Sequence, residues 1–284
     1  MLTRLAKLLI SLAVAMVDWL SAAVVRLFGG RPAPRCVVLY YHAIRPELRS
    51  RFAWQMDVLK RLTLPIDIES AEPVTDGRRR SAVTFDDGFV SVVENALPEL
   101  AARGIPCIIF VPSGCIGHRP SWIEESHDDG EELVADAAVV RSLAEQPLVR
   151  IGSHSVSHPN FRRLDDDRAR AELMESKQEL ERITGREVRS FSFPHGAHTQ
   201  RSLELAKQCG YTQVHTIEPV QLGSVVGQFK VGRVKVEPHD WPLEFRLKVL
   251  GAYRWMVRVS AFKRELRNLL RGARTEVAQP ERSA

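Results

Sequence analysis

Hydrophobic positions along the chain fall into short solid runs separated by stretches with helical spacing. The runs are "CVVLYYH" (36–42), "SAVTFDD" (81–87), "IPCIIFV" (105–111), "VRIGSHS" (149–155), "VRSFSFP" (188–194), "YTQVHTI" (211–217) and "FKVGRVKV" (229–236). They are rich in β-branched and aromatic residues and too short for core helices, so they read as buried strands. Between them, "FAWQMDVLKRL" (52–62) puts Phe52, Met56, Leu59 and Leu62 on one helical face. "FVSVVENALPELAARG" (89–104) does the same with Val92, Val93, Ala96 and Leu100, and Gly104 stops it. Helices are also predicted at 131–146, at 200–210, and at 165–185, the last acidic at its start and closed by Gly185. Strands alternating with helices imply parallel pairing. The expected fold is α/β: an irregular (β/α) barrel of about seven parallel strands over 36–240, with flanking N- and C-terminal helices.

The flanks have a different pattern. "LLISLAVAMVDWLSAAVVRLF" (8–28) is strongly apolar, with one acid at Asp18. Its length is near the lower limit for a membrane span, and Asp18 at the centre of a bilayer would cost about 2.5–3.5 kcal/mol. Residues 1–30 therefore read as an apolar helix with three open topologies: a marginal transmembrane anchor, an in-plane interfacial helix, or a helix packed on the domain. "RPAPR" (31–35) is a linker. Residues 241–274 read as a basic amphipathic helical segment, and 275–284 as a disordered tail.

Charge sharpens the picture of the ends. The net charge is +5, yet residues 1–35 carry five Lys/Arg and one acid, and residues 241–284 carry ten Lys/Arg and four acids. The body between them is mildly acidic. Basic, apolar ends around an acidic body point to an anionic membrane surface as a partner and away from nucleic acid. Positive charge on both sides of the apolar run sets no orientation, so association with a bacterial membrane is expected at either its cytoplasmic or periplasmic face. Cys36, Cys107, Cys115 and Cys209 form no CxxC pair, and no disulfide framework is expected.

Candidate chemistry begins where strands end. Asp86 and Asp87 close one strand, and a helix N-cap accounts for only one of them. His154 and His158 follow another strand, four residues apart, a spacing that lets neutral imidazoles share one ion. All strands of a parallel barrel end at the same rim, so these groups can meet as a site of two histidines and one carboxylate. The second aspartate is then free to act as general base toward a metal-bound water. His42 ends the first strand and belongs to the same rim.

In this order and spacing, "TFDDG", "HSVSHP" and "FSFPHG" resemble the motifs of the polysaccharide deacetylase family, also called the NodB-homology domain or carbohydrate esterase family four. The resemblance covers roughly 36–236. It implies a divalent metal, zinc by preference with cobalt, nickel or iron as alternatives, and hydrolysis of an N- or O-acetyl group on a sugar of a glycan or glycolipid. It also implies Asp86 as catalytic base and Asp87, His154 and His158 as metal ligands. Phe193, Pro194, His195 and Gly196 would line the substrate groove, with the His195 N–H facing the oxyanion. Trp122 is a further groove candidate. His195 stands where an aromatic is usual, and Ser192 where some members carry arginine. No clean match exists for the late histidine that serves as general acid; His42 is the preferred substitute, ahead of His239, while His195 and His198 read as groove or surface residues and His215 as a strand residue. Two alternatives stay open: a deformylase or other amidase acting on a lipid-linked sugar, and a non-catalytic glycan-binding relative.

Overall fold

The computed structural model describes residues 2–33, 35–70, 77–124, 129–220 and 227–259. Among the described residues, nine strands form one sheet: β1 (Arg35–Tyr41), β2 (Leu64–Pro65), β3 (Arg79–Phe85), β4 (Cys107–Val111), β5 (Val149–Ser153), β6 (Ser190–Ser192), β7 (Gln213–Thr216), β8 (Lys230–Gly232) and β9 (Val234–Lys235). The order is β8-β7-β6-β5-β4-β3-β1-β9, with the short β2 added beside β3, and every pairing is parallel. Strands β8 and β9 are consecutive pieces of one extended segment. The first pairs with β7 through Val231 and His215, and the second with β1 through Val234 and Leu39. That segment brings the two edges of the sheet together into a nearly closed barrel of eight parallel strands. The predicted barrel is therefore present, and the 229–236 run supplies two of its strands, broken at Arg233.

The helices are α1 (Leu2–Leu27), α2 (Arg49–Leu62), α3 (Leu97–Arg103), α4 (Ala137–Glu145), α5 (Asp166–Thr184), α6 (Gln200–Gln208) and α7 (Pro242–Val249). Their starts follow the sequence: Asp136, Asp165 and Thr199 cap α4, α5 and α6 by accepting from Val139, Arg168 and Ser202 N–H groups. Three boundaries differ from the expectation. The 89–104 helix is widened to π geometry over Val92–Ala96 just before α3. Pro98 lacks an N–H and crowds the carbonyl four residues back, and the π turn absorbs that conflict. The predicted 131–146 helix starts only at Ala137, because Val134 instead bridges Phe89 in antiparallel fashion. The 241–274 helix breaks after α7 into a turn at Gly251 (φ 73°) and a 3-10 turn over Ala252–Arg254, and residues 255–259 are again helical. The remainder of that segment and the 275–284 tail lie outside the described residues.

The core fills the barrel and the layer between the barrel and its helices. Val37, Leu39, Tyr41, Val83, Phe85, Ile109, Phe191 and Val214 belong to one buried cluster that also takes in Phe52, Leu100, Leu143, Leu173 and Leu205 from the helices. Cys36 and Cys107 are buried as small hydrophobes, and all four cysteines are free. This packing fixes the C-terminal rim, where every strand end points the same way.

Candidate active site

The rim holds a cleft of about 780 Å³. Asp86 and Asp87 enter it directly from β3, and His154 from β5; the backbone continues each ladder, with Asp86 N–H donating to Tyr41 O at 2.9 Å and His154 N–H to Val111 O at 3.0 Å. Asp87 then turns into the left-handed region (φ 70°), followed by Gly88 (φ 63°). The turn swings the Asp87 carboxylate away from its neighbour and toward the histidines. His158 is also left-handed (φ 57°), as are Ser155 (φ 69°) and His195 (φ 57°). These four are the non-glycine residues with positive φ among those described, and each such backbone costs on the order of 1–3 kcal/mol. The loop bearing His158 is held in place by Glu172 of α5, whose carboxylate accepts from Val156 N–H, Ser157 N–H and Ser157 Oγ–H. The Ser155 Oγ accepts from the His158 N–H at 3.1 Å.

Asp87 Oδ1 lies 3.6 Å from His154 Nε2 and 3.4 Å from His158 Nε2. The three side chains are buried and their ligand atoms lie within 4.8 Å of one another. Asp87 Oδ1 has no hydrogen-bond partner. Bonds of 2.0–2.2 Å put neighbouring ligand atoms of a tetrahedral zinc about 3.4 Å apart, which is the spacing seen here. His154 Nδ1 sits 2.7 Å from Ser192 O, a contact that needs the proton on Nδ1 and leaves the Nε2 lone pair facing Asp87. Burial lowers both imidazoles, His154 to about 4 and His158 further, so both are neutral at pH 7. Neutral imidazoles and an orphaned carboxylate oxygen are the donor set that a divalent metal takes.

The adjacent Asp86 is held quite differently. Arg233, at the break between β8 and β9, is fully buried and grips it bidentately, Nη1–Oδ1 at 2.7 Å and Nη2–Oδ2 at 2.8 Å. The same guanidinium donates to Ser192 Oγ at 2.7 Å and Thr84 Oγ1 at 3.1 Å and lies over the Tyr40 ring at 4.7 Å. Burial alone would raise the Asp86 pKa; the Arg233 charge outweighs it, and the carboxyl stays well below the usual range. Asp87 has no such partner, and burial followed by the Asp86 charge pushes it well above the usual range. A dication at the point where the ligands converge would reverse that shift.

Residues 74–214 match the family model for polysaccharide deacetylase, a span that includes Asp86, Asp87, His154, His158 and His195 but not His42. The chain belongs to the polysaccharide deacetylase family. YxkH of Bacillus subtilis (strain 168) is 24% identical over 214 residues, 71% of each chain. Among solved structures, that of IcaB from Ammonifex degensii superposes with a TM-score of 0.66 at 22% identity, covering 78% of this chain and 98% of that one. The Streptococcus pyogenes deacetylase PplD, solved in complex with acetate, gives a TM-score of 0.59 at 17% identity over 72% and 93% of the two chains. At these identities the structural matches show the shared fold. Membership supports an enzyme that deacetylates a sugar.

Against that family pattern, the structure brings together Asp86, Asp87, His42, His154, His158, Trp122, His195 and Gly196 along one cleft. Trp122 stacks on His158 with centroids 3.9 Å apart and planes at 16°, and His195 meets His158 edge-on at 4.6 Å. Phe193 is a correction. It is 1% exposed, with its ring among Phe161 and Phe191 in the core, because the strand end points it inward before the turn begins. Pro194 is likewise buried and does not border the cleft, so the groove-lining role passes to His195 and Gly196 alone. His215 is a buried strand residue bonded to Gln213, while His239 borders the cleft mouth. Ser192 Oγ accepts from Arg233, the same guanidinium that holds Asp86. The sequence signal of Arg233 was a cation beside Gly232 at the centre of the strand-like run "KVGRVKV". Tyr40, Lys235 and Glu237 also line the cleft and were not singled out by the sequence.

Proposed function

We propose that this protein is a metal-dependent hydrolase that removes an N-acetyl or O-acetyl group from a sugar of a glycan or glycolipid at a bacterial membrane. The observation that carries the reading is the unpartnered Asp87 Oδ1 between the two imidazole Nε2 atoms, beside an Asp86 held ionised by Arg233. Asp87, His154 and His158 would hold the ion; zinc suits the set, and cobalt, nickel or iron also do. When bound, such an ion polarises the acyl carbonyl and makes water acidic enough to ionise near neutral pH.

The chain's own groups do the rest. Asp86 accepts the proton of the attacking water, and the bidentate guanidinium keeps that carboxylate in one orientation. His42, which lines the same cleft, is our candidate to protonate the leaving nitrogen or oxygen. Burial lowers its pKa, and the nearby Asp86 charge works in the opposite direction, toward the protonated form. The left-handed turn at His195 presents a backbone N–H to the oxyanion, and Trp122 and His195 flank the sugar.

The test joins metal analysis to a release screen over acetylated oligosaccharides and glycolipids, read for both acetate and formate. The expected result is acetate release by the metal-loaded protein, and loss of release in Asp86→Asn with its metal content unchanged. Formate in place of acetate would move the assignment to a deformylase. Glycan binding with no acyl release from any substrate, or normal turnover by Asp86→Asn, would overturn the mechanism.

A further inference from the structure

Helix α1 turns its polar side inward. Arg4, Ser11 and Asp18 recur every seven residues and share one stripe. Each is held by the C-terminal segment: Arg4 by Glu244 at 2.6 Å, Ser11 Oγ by the Trp255 indole N–H at 3.0 Å, and Asp18 by a bidentate Arg254 at 2.7 and 2.8 Å. Arg35 adds a second cation to Asp18 at 2.8 Å. Leu8, Val14 and Ala15 pack beside this stripe against Leu247, Ala252 and Tyr253. The only acid in the apolar run is thus consumed by the protein itself.

The opposite side carries no charge at all. Leu5, Leu9, Met16, Val17, Leu20 and Val24 are 47–59% exposed, and Trp19 is 65% exposed. A surface helix of a water-facing domain shows the reverse pattern, with apolar residues inward. An uncovered apolar face of this length marks a contact surface. Its flanks say for what: Lys7, Arg26 and Arg31 are exposed around it. Apolar surface rimmed by cations complements an anionic phospholipid leaflet, and an exposed tryptophan suits its interfacial zone. The helix has the length and composition of a span. Spanning would however break the Asp18–Arg254–Arg35 contacts and leave that carboxylate in hydrocarbon.

We propose that α1 lies in the plane of an anionic leaflet, its apolar face in the acyl boundary and its polar stripe clasped to the barrel. The N-terminal end of the helix borders the candidate active site. Thr3, Arg4 and Lys7 line a second cleft together with Tyr40, Ile217, Lys235 and His239, which also line the first. A helix bedded in the leaflet therefore brings the cleft mouth to the membrane surface, where a lipid-tethered glycan is presented. This last consequence rests on the deacetylase reading; the helix itself is tested without it.

The full-length protein is mixed with preformed vesicles of phosphatidylcholine alone or with phosphatidylglycerol added. Co-sedimentation with the anionic vesicles is expected, and Met16→Glu/Leu20→Glu should weaken it by at least about tenfold while leaving the melting temperature unchanged. Wild-type protein that stays in the supernatant, or a double variant that binds equally well, would overturn the proposal. So would a lipid-free dimer that Met16→Glu/Leu20→Glu dissociates, with no vesicle binding. Topology is read with Thr3→Cys and Phe28→Cys and an impermeant maleimide added outside, the parent protein giving the background from its native cysteines. An in-plane helix leaves both ends reactive; protection of one end until detergent is added identifies a span and rejects the in-plane arrangement.

Discussion

Replacing Arg233 with methionine tests how the rim keeps two adjacent carboxylates. The substitution keeps side-chain volume and removes a fully buried cation whose two nitrogens hold both oxygens of Asp86. Breaking one side of a buried ion pair costs about 3–5 kcal/mol, because the remaining charge is left without compensation. Bonds to Ser192 and Thr84 go with it. For a chain of this size 1 kcal/mol shifts the melting temperature by roughly 2–4 °C, so a drop on the order of 10 °C is expected in chelator-treated protein. The pH dependence supplies the signature. In the wild type the Asp86 pKa is depressed, so its stabilising contribution is complete above the unfolded value near 3.8 and fades as pH falls below it. Without Arg233, burial raises the Asp86 pKa; the deficit of Arg233→Met should then narrow as pH is lowered and Asp86 takes up a proton. Asp86→Asn introduced into Arg233→Met should recover part of the loss, with a coupling of about 2 kcal/mol or more in the double-mutant cycle. Urea unfolding of the four proteins reads it. Additive single effects, or a loss in Arg233→Met below about 1 kcal/mol, would refute the reasoning.

Asp87→Asn should lose stoichiometric zinc, measured by elemental analysis after dialysis, whereas Asp86→Asn should retain it; equal retention in both would remove Asp87 from the ligand set. Gly196→Ala places a Cβ 2.2 Å from Ile217 Cγ1 at φ +62°, so thermal unfolding should show a destabilisation of about 1–3 kcal/mol. Asp18 is buried, which raises its pKa, but its bonds to Arg254 and Arg35 prevail and the folded value lies below 3.8. The contribution of the α1 contact is therefore whole above about pH 4 and lost as pH falls through the folded pKa; the stability difference between wild type and Asp18→Asn should vanish at the acid end of an unfolding series in lipid-free buffer.

The barrel was legible because parallel strands buried on both faces leave solid apolar runs that survive any detail of packing. Its closure was not, since nothing in "FKVGRVKV" tells that Val231 and Val234 serve opposite edges of the sheet. The meeting of Asp87 with His154 and His158 was readable for a topological reason: strand ends share a rim, so motifs distant in sequence could converge. What spacing could not supply was side-chain direction at the turn. Phe193 and His195 are two residues apart in one motif, yet one fills the core and the other borders the cleft, because the backbone passes into the left-handed region between them. Arg233 escaped for a related reason. Its partner is 147 residues away, and only the closure of the barrel places them together.

The two aspartates acquire different chemistry from one dipeptide because their neighbours have different signs of permanence. Arg233 is a fixed cation, covalently part of the barrel wall, and it makes the ionisation of Asp86 independent of any ligand. Asp87 faces two neutral imidazoles, and the more distant Arg233 charge does not offset burial and the Asp86 charge, so its ionisation is coupled to the arrival of a cation. The left-handed backbone at Asp87 is what makes this division geometrically available: an extended conformation there would carry the chain onward along the strand instead of turning the second carboxylate toward the histidines. The strain at Asp87, Ser155 and His158 lies within the ligand-bearing turns, and the contacts of Glu172 on α5 and the packing of Gly88 on Val111 oppose its release. A metal bound there would therefore meet ligands already placed. Loosening the Glu172 contacts should lower metal affinity through His158 while leaving the Asp86–Arg233 pair as it stands.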